Sequence, residues 1–334
     1  MPTAASPAPR RALVVVNPTA GTARPDLVEQ VVRLCREGLE AVEVHRTTHR
    51  GGATEAVRAA LAAPAAYAVD LVVAVGGDGT VHEVVEGLAG AAGRGPALAI
   101  VPAGTGNSAY RMLWGQSPWA RSLRAVWSGG GAARLRRVDL GRVAETGEPV
   151  LLGACSGLVA EGLIAARAVA AAGREKYARA LPDAAAAFTP YPGRVTVDGR
   201  VLHEGRTVLA NVGGGRHRGG QYLLLDHSEL DDGLLDVCVV GAEVPAARVP
   251  SLAREGLLSR QPGVVHGRGR RIVVERTDGE PLRFEYDGEL QHLNWTSMTV
   301  EVLPGALPVW GAPEEEVTRV DTQGAVPLGG VAAT

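Results

Sequence analysis

Lysine is almost absent from this chain. Lys176 is the only one, and arginine supplies the rest of the 34 basic residues. A Walker A loop needs a lysine behind its glycines, so the P-loop kinases are excluded. The usual protein-kinase arrangement is excluded as well, because Lys176 does not sit in a strand of the first half of the chain. Cysteine is scarce. Cys35, Cys155 and Cys238 are odd in number and irregular in spacing, so they read as reduced core or surface thiols rather than a disulfide frame or zinc site. No Cys-x-x-Cys occurs. No run approaches the ~18 apolar residues of a membrane span, and the apolar stretch 13–16 is too short for a signal sequence, so a cytoplasmic protein without a transmembrane segment is expected. Aromatic residues make up 4% of the chain against 46% hydrophobic residues in all, so the core must be built from Ala, Val and Leu. A net charge of −2 gives no electrostatic reason to expect a nucleic-acid partner.

Glycine loops following apolar strands are plentiful. The run 70–75 suits a buried strand and stops at Gly76-Gly77-Asp78-Gly79-Thr80, after which Val81, Val84, Val85 and Leu88 recur at helical spacing. Strand, glycine turn and helix N-terminus together make an anion site, since glycine permits close approach and the first-turn N–H groups lack helical partners. Asp78 inside that cradle is the unusual element. A carboxylate facing phosphate calls for an intervening divalent cation or a proton-handling role, which favours Mg²⁺-dependent phosphate chemistry. Two further strands end in the same way: 13–16 runs into Asn17-Pro18-Thr19-Ala20-Gly21, and 97–101 into Pro102-Ala103-Gly104-Thr105-Gly106-Asn107. In an open parallel sheet such loops gather at the carboxyl edge, where ligands bind.

These three loops, with Glu83, resemble the motifs of the diacylglycerol kinase catalytic-domain family, which includes bacterial soluble lipid kinases and sphingosine kinases. The resemblance continues through 211–222 (NVGGGRHRGGQY), 228–236 and the closing Tyr286-Asp287-Gly288-Glu289, and so runs from about Arg11 to about Pro308. It implies a lipid kinase using ATP and Mg²⁺ on a diacylglycerol-like or sphingoid-base-like acceptor. The lipid would be met at a membrane surface by a protein peripheral to the inner face, and a homodimer stays open. By the same resemblance Asn17, Pro18, Thr19, Ala20, Gly21, Gly76, Gly77, Gly79, Thr80, Glu83, Gly104, Thr105 and Asn107 hold ATP, and Thr47 reaches its adenosine end. Asp78 holds Mg²⁺, and Glu289 accepts the hydroxyl proton. Without the resemblance, Glu289 reads as a hairpin-end carboxylate in solvent. A second, structural Mg²⁺ is implied on the carboxylate of Asp232 and the carbonyls of Glu229 and Leu234, against a plain Asp-Gly turn without metal. Ser108 stands where diacylglycerol-type members carry aspartate, which leaves the acceptor class open. His82 stands where relatives often have asparagine, a change expected to be neutral. Asp139 either assists at the junction or caps backbone. An NAD kinase, or a nucleotide-binding sensor without turnover, are the alternatives.

The chain divides by texture into a disordered stretch 1–10, a nucleotide-binding α/β domain 11–138 with a mainly parallel sheet, a β-rich acceptor domain 139–310 forming an antiparallel sandwich with attached helices, and a flexible tail 311–334. Strands are expected at 151–154, 194–197, 200–203, 207–211, 234–240, 271–275, 282–286 and 297–302. Asp198-Gly199 should form a tight hairpin and Asp278-Gly279 a longer one. Helices at 158–172 and 175–187 either line an acyl-chain pocket or are plain core. The clusters Arg134/Arg136/Arg137, Arg216/His217/Arg218 and Arg268/Arg270/Arg271 either draw the protein to anionic headgroups or are solvated loops.

Overall fold

The computed structural model describes residues 8–91, 94–129, 131–171, 173–219, 221–291 and 294–313. Most of the N-terminal stretch 1–10 and of the tail 311–334, both expected to be poorly ordered, lies outside the described residues.

The first half alternates strand and helix: β1 (Arg11–Val16), α1 (Pro25–Gly38), β2 (Ala41–Arg46), α2 (Gly52–Leu61), β3 (Leu71–Gly76), α3 (Asp78–Ala89), β4 (Ala97–Pro102), α4 (Ser108–Trp114) and α5 (Trp119–Ser128). The strands stand in the order β2-β1-β3-β4, all parallel. β3 is buried at every position. A β-branched run without polar alternation suits a strand with both faces covered. Val81, Val84, Val85 and Leu88 form the buried face of α3, as their spacing predicts. α1 opens with Pro25, whose missing N–H costs nothing in the first turn, and Asp26 beside it favours the positive end of the helix.

The second half contains β5 (Arg134–Val143), β6 (Pro149–Val150), β7 (Ala154–Gly157), α6 (Leu158–Ala166), α7 (Gly173–Ala187), β8 (Tyr191–Val197), β9 (Arg200–Gly213), β10 (His217–Arg218), β11 (Tyr222–Leu223), β12 (Leu235–Gly241), α8 (Val249–Arg254), β13 (Val264–Gly269), β14 (Arg271–Arg276), β15 (Phe284–Tyr286), β16 (Glu289–Leu290) and β17 (Ser297–Gly311). Here the ladder is antiparallel, in the order β16-β15-β7-β9-β8-β14-β17, with β12 and β13 branching from β9. Asp198 and Gly199 both have positive φ, 46° and 80°, and close the β8–β9 hairpin as expected.

Four strand expectations need correction. The segments 200–203 and 207–211 are one strand, β9, running through Gly205. Asp278-Gly279 closes no hairpin: β14 pairs with β8 and β17, whereas β15 pairs with β7 and β16. Arg276 instead clamps the Asp278 carboxylate at 2.8 and 3.1 Å. The strand expected at 151–154 begins only at Ala154, because Leu151, Leu152 and Gly153 donate their amides to the side chain of Asp287. The strand expected at 297–302 continues to Gly311. A register shift between Leu303 and Leu307 absorbs Pro304-Gly305, which from sequence reads as a strand end.

That long strand joins the two halves. Its start pairs with β14, and Val309 pairs in parallel with Leu98 of β4. Met298 and Val300 pack in the core of the antiparallel region, while Leu307, Val309 and Trp310 pack in the core of the α/β region. A third core lies between α6, α7, α8 and the face of β9 and β12. Cys35, Cys155 and Cys238 are all buried and unpaired, in keeping with the core reading; burial pushes the thiols of Cys35 and Cys238 up to about 12.

Candidate active site

The three glycine loops follow β1, β3 and β4, which are sheet neighbours, so they meet at one carboxyl edge. Hydrogen bonds weave them together. Asn17 N–H donates to the Val75 carbonyl at 3.0 Å, and Ala103 N–H to the Gly76 carbonyl at 2.8 Å. Thr22 N–H donates to the Ala103 carbonyl at 2.8 Å, and Asn17 Nδ2 to Thr80 Oγ1 at 3.1 Å. Asn107, with φ 53°, closes the third loop on itself: its Oδ1 accepts from Gly104 N–H, and its Nδ2 donates to the Gly104 carbonyl. Asp78 Oδ1 accepts from Ala109 N–H at 3.0 Å, so the carboxylate of the second loop caps the helix that follows the third. Ser108, to which a capping role is open from sequence, is the first residue of α4 rather than its cap.

These residues fit a nucleotide phosphate. A side chain on Gly104 would come within 2.4 Å of the Gly77 backbone, so the two loops touch only because both lack one. A side chain on Gly79 would meet open space, which is the cleft. The first helical hydrogen bond in α3 is Val81 N–H to the Gly77 carbonyl, so the amides of Asp78, Gly79 and Thr80 precede the helical ladder at the positive end of the helix dipole.

The cleft holds about 820 Å³ and is lined from both halves of the chain. Of the residues expected from sequence, Asn17, Ala20, Gly21, Gly77, Asp78, Gly79, Thr80, Glu83, Gly104, Thr105 and Glu289 line it. Pro18, Thr19, Gly76 and Asn107 sit in the same loops without lining it. Thr47 is buried behind, with its N–H on the Val16 carbonyl. Glu83 also receives Ala53 N–H at 3.2 Å and so caps α2. Glu289 lies at the rim, its side chain half exposed and 3.4 Å from Arg50 Nη2.

The far wall carries residues that sequence reasoning left without a role. Asp287 is buried with φ 49°, a conformation aspartate tolerates better than most residues. Its Oδ1 accepts from the amides of Leu152 and Gly153, and its Oδ2 from Leu151 N–H. His82 Nδ1 stands 2.9 Å from the same Oδ2. Burial alone would raise the Asp287 carboxyl, but His82 and these amides outweigh it and hold the group below its ordinary value. Behind it, Arg218 Nη2 donates to Glu285 Oε1 at 2.5 Å and to the Gly153 carbonyl at 2.7 Å, while Glu285 Oε2 accepts from Gly288 N–H. Val159, Leu163 and Tyr177, from α6 and α7, supply an apolar stretch of the same wall.

The remaining candidates lie elsewhere. Asp139 is a backbone cap: it accepts from Gly233 N–H at 2.6 Å and Gly305 N–H at 2.7 Å. Asp232 accepts from Leu234 N–H, and its other oxygen lies 3.1 Å from Arg268 Nη1. The Asp232 carboxylate is thus shared between the turn amide and Arg268. In the basic clusters Arg136 pairs with Asp231, Arg218 with Glu285, and Arg268 with Asp232 and Asp236, so these cations are spent inside the protein.

Comparison with known proteins agrees with this geometry. Residues 11–143 match the family model described as diacylglycerol kinase catalytic domain, and residues 156–311 match the YegS C-terminal NAD kinase beta sandwich-like domain. A relative from Pseudomonas aeruginosa named "Probable lipid kinase YegS-like" is 33% identical over 299 residues, covering 84% of this chain and 88% of the relative. A diacylglycerol kinase from Bacillus subtilis is 29% identical over 287 residues, covering 84% and 90%. A solved diacylglycerol kinase structure from Bacillus anthracis superposes with a TM-score of 0.67 at 23% identity over 91% of this chain and 98% of that one, a likeness of fold.

Proposed function

The chain belongs to the diacylglycerol kinase catalytic-domain family and is a lipid kinase, and on that premise we propose that it moves the γ-phosphate of ATP, with Mg²⁺, to the hydroxyl of a diacylglycerol-like or sphingoid-base-like lipid at a membrane surface. One observation carries the reading: a single cleft has an amide cradle on one wall and the apolar Val159, Leu163 and Tyr177 on the other. The amides of Gly79 and Thr80 satisfy phosphate oxygens without adding charge, and Thr105 borders the same space. Asp78 Oδ1 is engaged by Ala109 N–H, which leaves Oδ2 as the oxygen to hold the cation. Mg²⁺, when bound there, supplies the neutralisation of charge on the transferring phosphoryl group. In a chain with one lysine, Arg50 at the cleft mouth is the exposed cation near the phosphates. Glu289 is proposed to take the proton of the acceptor hydroxyl as its oxygen attacks.

A transfer assay with labelled ATP and Mg²⁺ against a panel of lipid alcohols plus NAD tests this. Label in the lipid extract is the expected outcome, and the labelled species names the acceptor. Label in NAD overturns the reading in favour of an NAD kinase, and ATP binding without any transfer in favour of a sensor. Within the reading, Glu289→Gln should lower kcat about 100-fold while the ATP dissociation constant, measured calorimetrically, stays put. An unchanged kcat would return Glu289 to a rim carboxylate whose partner is Arg50.

A further inference from the structure

We propose that His82 is a positioning residue for the phosphoryl transfer, whose Nδ1–H fastens the phosphate-binding helix to the loop that carries Glu289. The inference rests on the kinase reading of the cleft. His82 lies one turn beyond Asp78 on α3, on the face that lines the cleft. Its Nδ1 meets Asp287 Oδ2 at 2.9 Å across 205 residues of sequence. Asp287 gathers everything around it. Its carboxylate takes the three consecutive amides of 151–153, the segment leading from β6 to β7, and its own N–H returns to the Gly153 carbonyl at 3.0 Å. Three amides and one imidazole fill the four acceptor sites of a carboxylate, so the tautomer at His82 is set: Nδ1 donates. Among the described residues His82 is the hydrogen-bond partner from the α/β half on this hub. The bond therefore fixes Asp78 relative to Glu289, two residues past Asp287, and transfer depends on that distance.

The groups facing the imidazole are Asp287 and Tyr286 from the closing motif, Glu148 ahead of β6, whose carboxylate accepts from the Tyr286 hydroxyl, and Asp78 and Glu86 on the same helix. Burial pulls the imidazole down, but the hydrogen bond and charge of Asp287, with Glu148 and Glu86, outweigh burial and leave it above its ordinary 6.5. The ion-pair part of the fastening is thus complete below about 6.5 and is lost as pH rises through the raised value. The neutral hydrogen bond remains above it.

Asparagine and alanine separate the roles of the ring. Asn Nδ2 is attached at the same branch point as His Nδ1 and can donate to Asp287, but it has no counterpart of Nε2. His82→Asn should keep kcat within about threefold of wild type and lose the alkaline fall tied to the imidazole. His82→Ala should lower kcat by about 30-fold with ATP affinity, a property of the three loops, unchanged. Hydrogen exchange at the amides of 151–153, read on the ligand-free protein without any assay of activity, should quicken about tenfold in His82→Ala and not in His82→Asn. Retention of wild-type kcat and exchange by His82→Ala overturns the proposal. An equal loss in both variants overturns it too, since the ring beyond Nδ1 would then matter. If wild type phosphorylates no lipid the kinase reading fails, and the exchange data alone still decide whether His82 holds the two halves together.

Discussion

Asp78→Asn should lower lipid phosphorylation by a factor of about 10³ while leaving the protein folded. The substitution is sharp because the two oxygens of Asp78 have different tasks. Oδ1 accepts from Ala109 N–H and so ties the second loop to the start of α4, and asparagine retains that acceptor. The cost to stability is then the difference between a charge-assisted and a neutral hydrogen bond, about 1 kcal/mol. What disappears is the negative charge in a cradle otherwise made of backbone amides and hydroxyls, and with it the group proposed to hold Mg²⁺. Asp78→Ala should lose both, with a lower unfolding midpoint added to the loss of turnover, because Ala109 N–H then has no acceptor. The measurement is a pair: initial rates against Mg²⁺ concentration, and thermal unfolding of the same samples. If Asp78→Asn keeps near-normal turnover at saturating Mg²⁺, the carboxylate is a helix cap and nothing more, and the cation must be held by ATP and solvent alone.

The cradle was legible in the sequence because it is local. Strand, glycine loop and helix lie within about twenty consecutive residues, and β1, β3 and β4 each announce themselves by an apolar run and its abrupt end. The place of Glu289 in the cleft lining was expected as well, through the resemblance carried by Tyr286-Asp287-Gly288-Glu289. What could not be read was the second wall. Nothing near Asp287 says that its carboxylate is buried, because its partners, Leu151, Leu152, Gly153 and His82, lie more than a hundred residues away. The same holds for Arg218, which looks like part of a basic surface cluster until Glu285 is seen against it. β17 fails for a different reason. Pro304 and Gly305 are strand-breaking in isolation, and only the bulge against β5, pinned by Asp139 on Gly305 N–H, carries the strand onward into the first core. Local pattern thus found the glycine-loop wall of the cleft, and long-range polar pairing hid the opposite wall.

That hidden pairing leads to the largest expected effect on stability. Arg218 and Glu285 are both buried, and Arg218 also holds the Gly153 carbonyl while Glu285 holds Gly288 N–H. Burial opposes the charge on both groups: on Arg218 the pull of Glu285 outweighs it and keeps the guanidinium protonated, whereas on Glu285 burial outweighs Arg218 and lifts the carboxyl above its ordinary value. Glu285→Gln preserves the shape and an acceptor oxygen but removes the hydrogen-bonded counter-charge, so the buried guanidinium keeps only the more distant charge of Asp287. The expected loss is about 3–5 kcal/mol in urea unfolding. Arg218→Met with Glu285→Gln should recover much of that loss, because neither member of the pair then carries a charge to be desolvated. Activity should not return with it. Without Arg218 the Gly153 carbonyl keeps only Asp287 N–H, and the segment that orients Asp287, and through it Glu289, is held on one side instead of two. A double variant that is stable yet slow would mean that the pair is kept for the geometry of the closing loop. A double variant as unstable as the single one would mean that the hydrogen bonds to Gly153 and Gly288, rather than the charges, carry the stability of this wall.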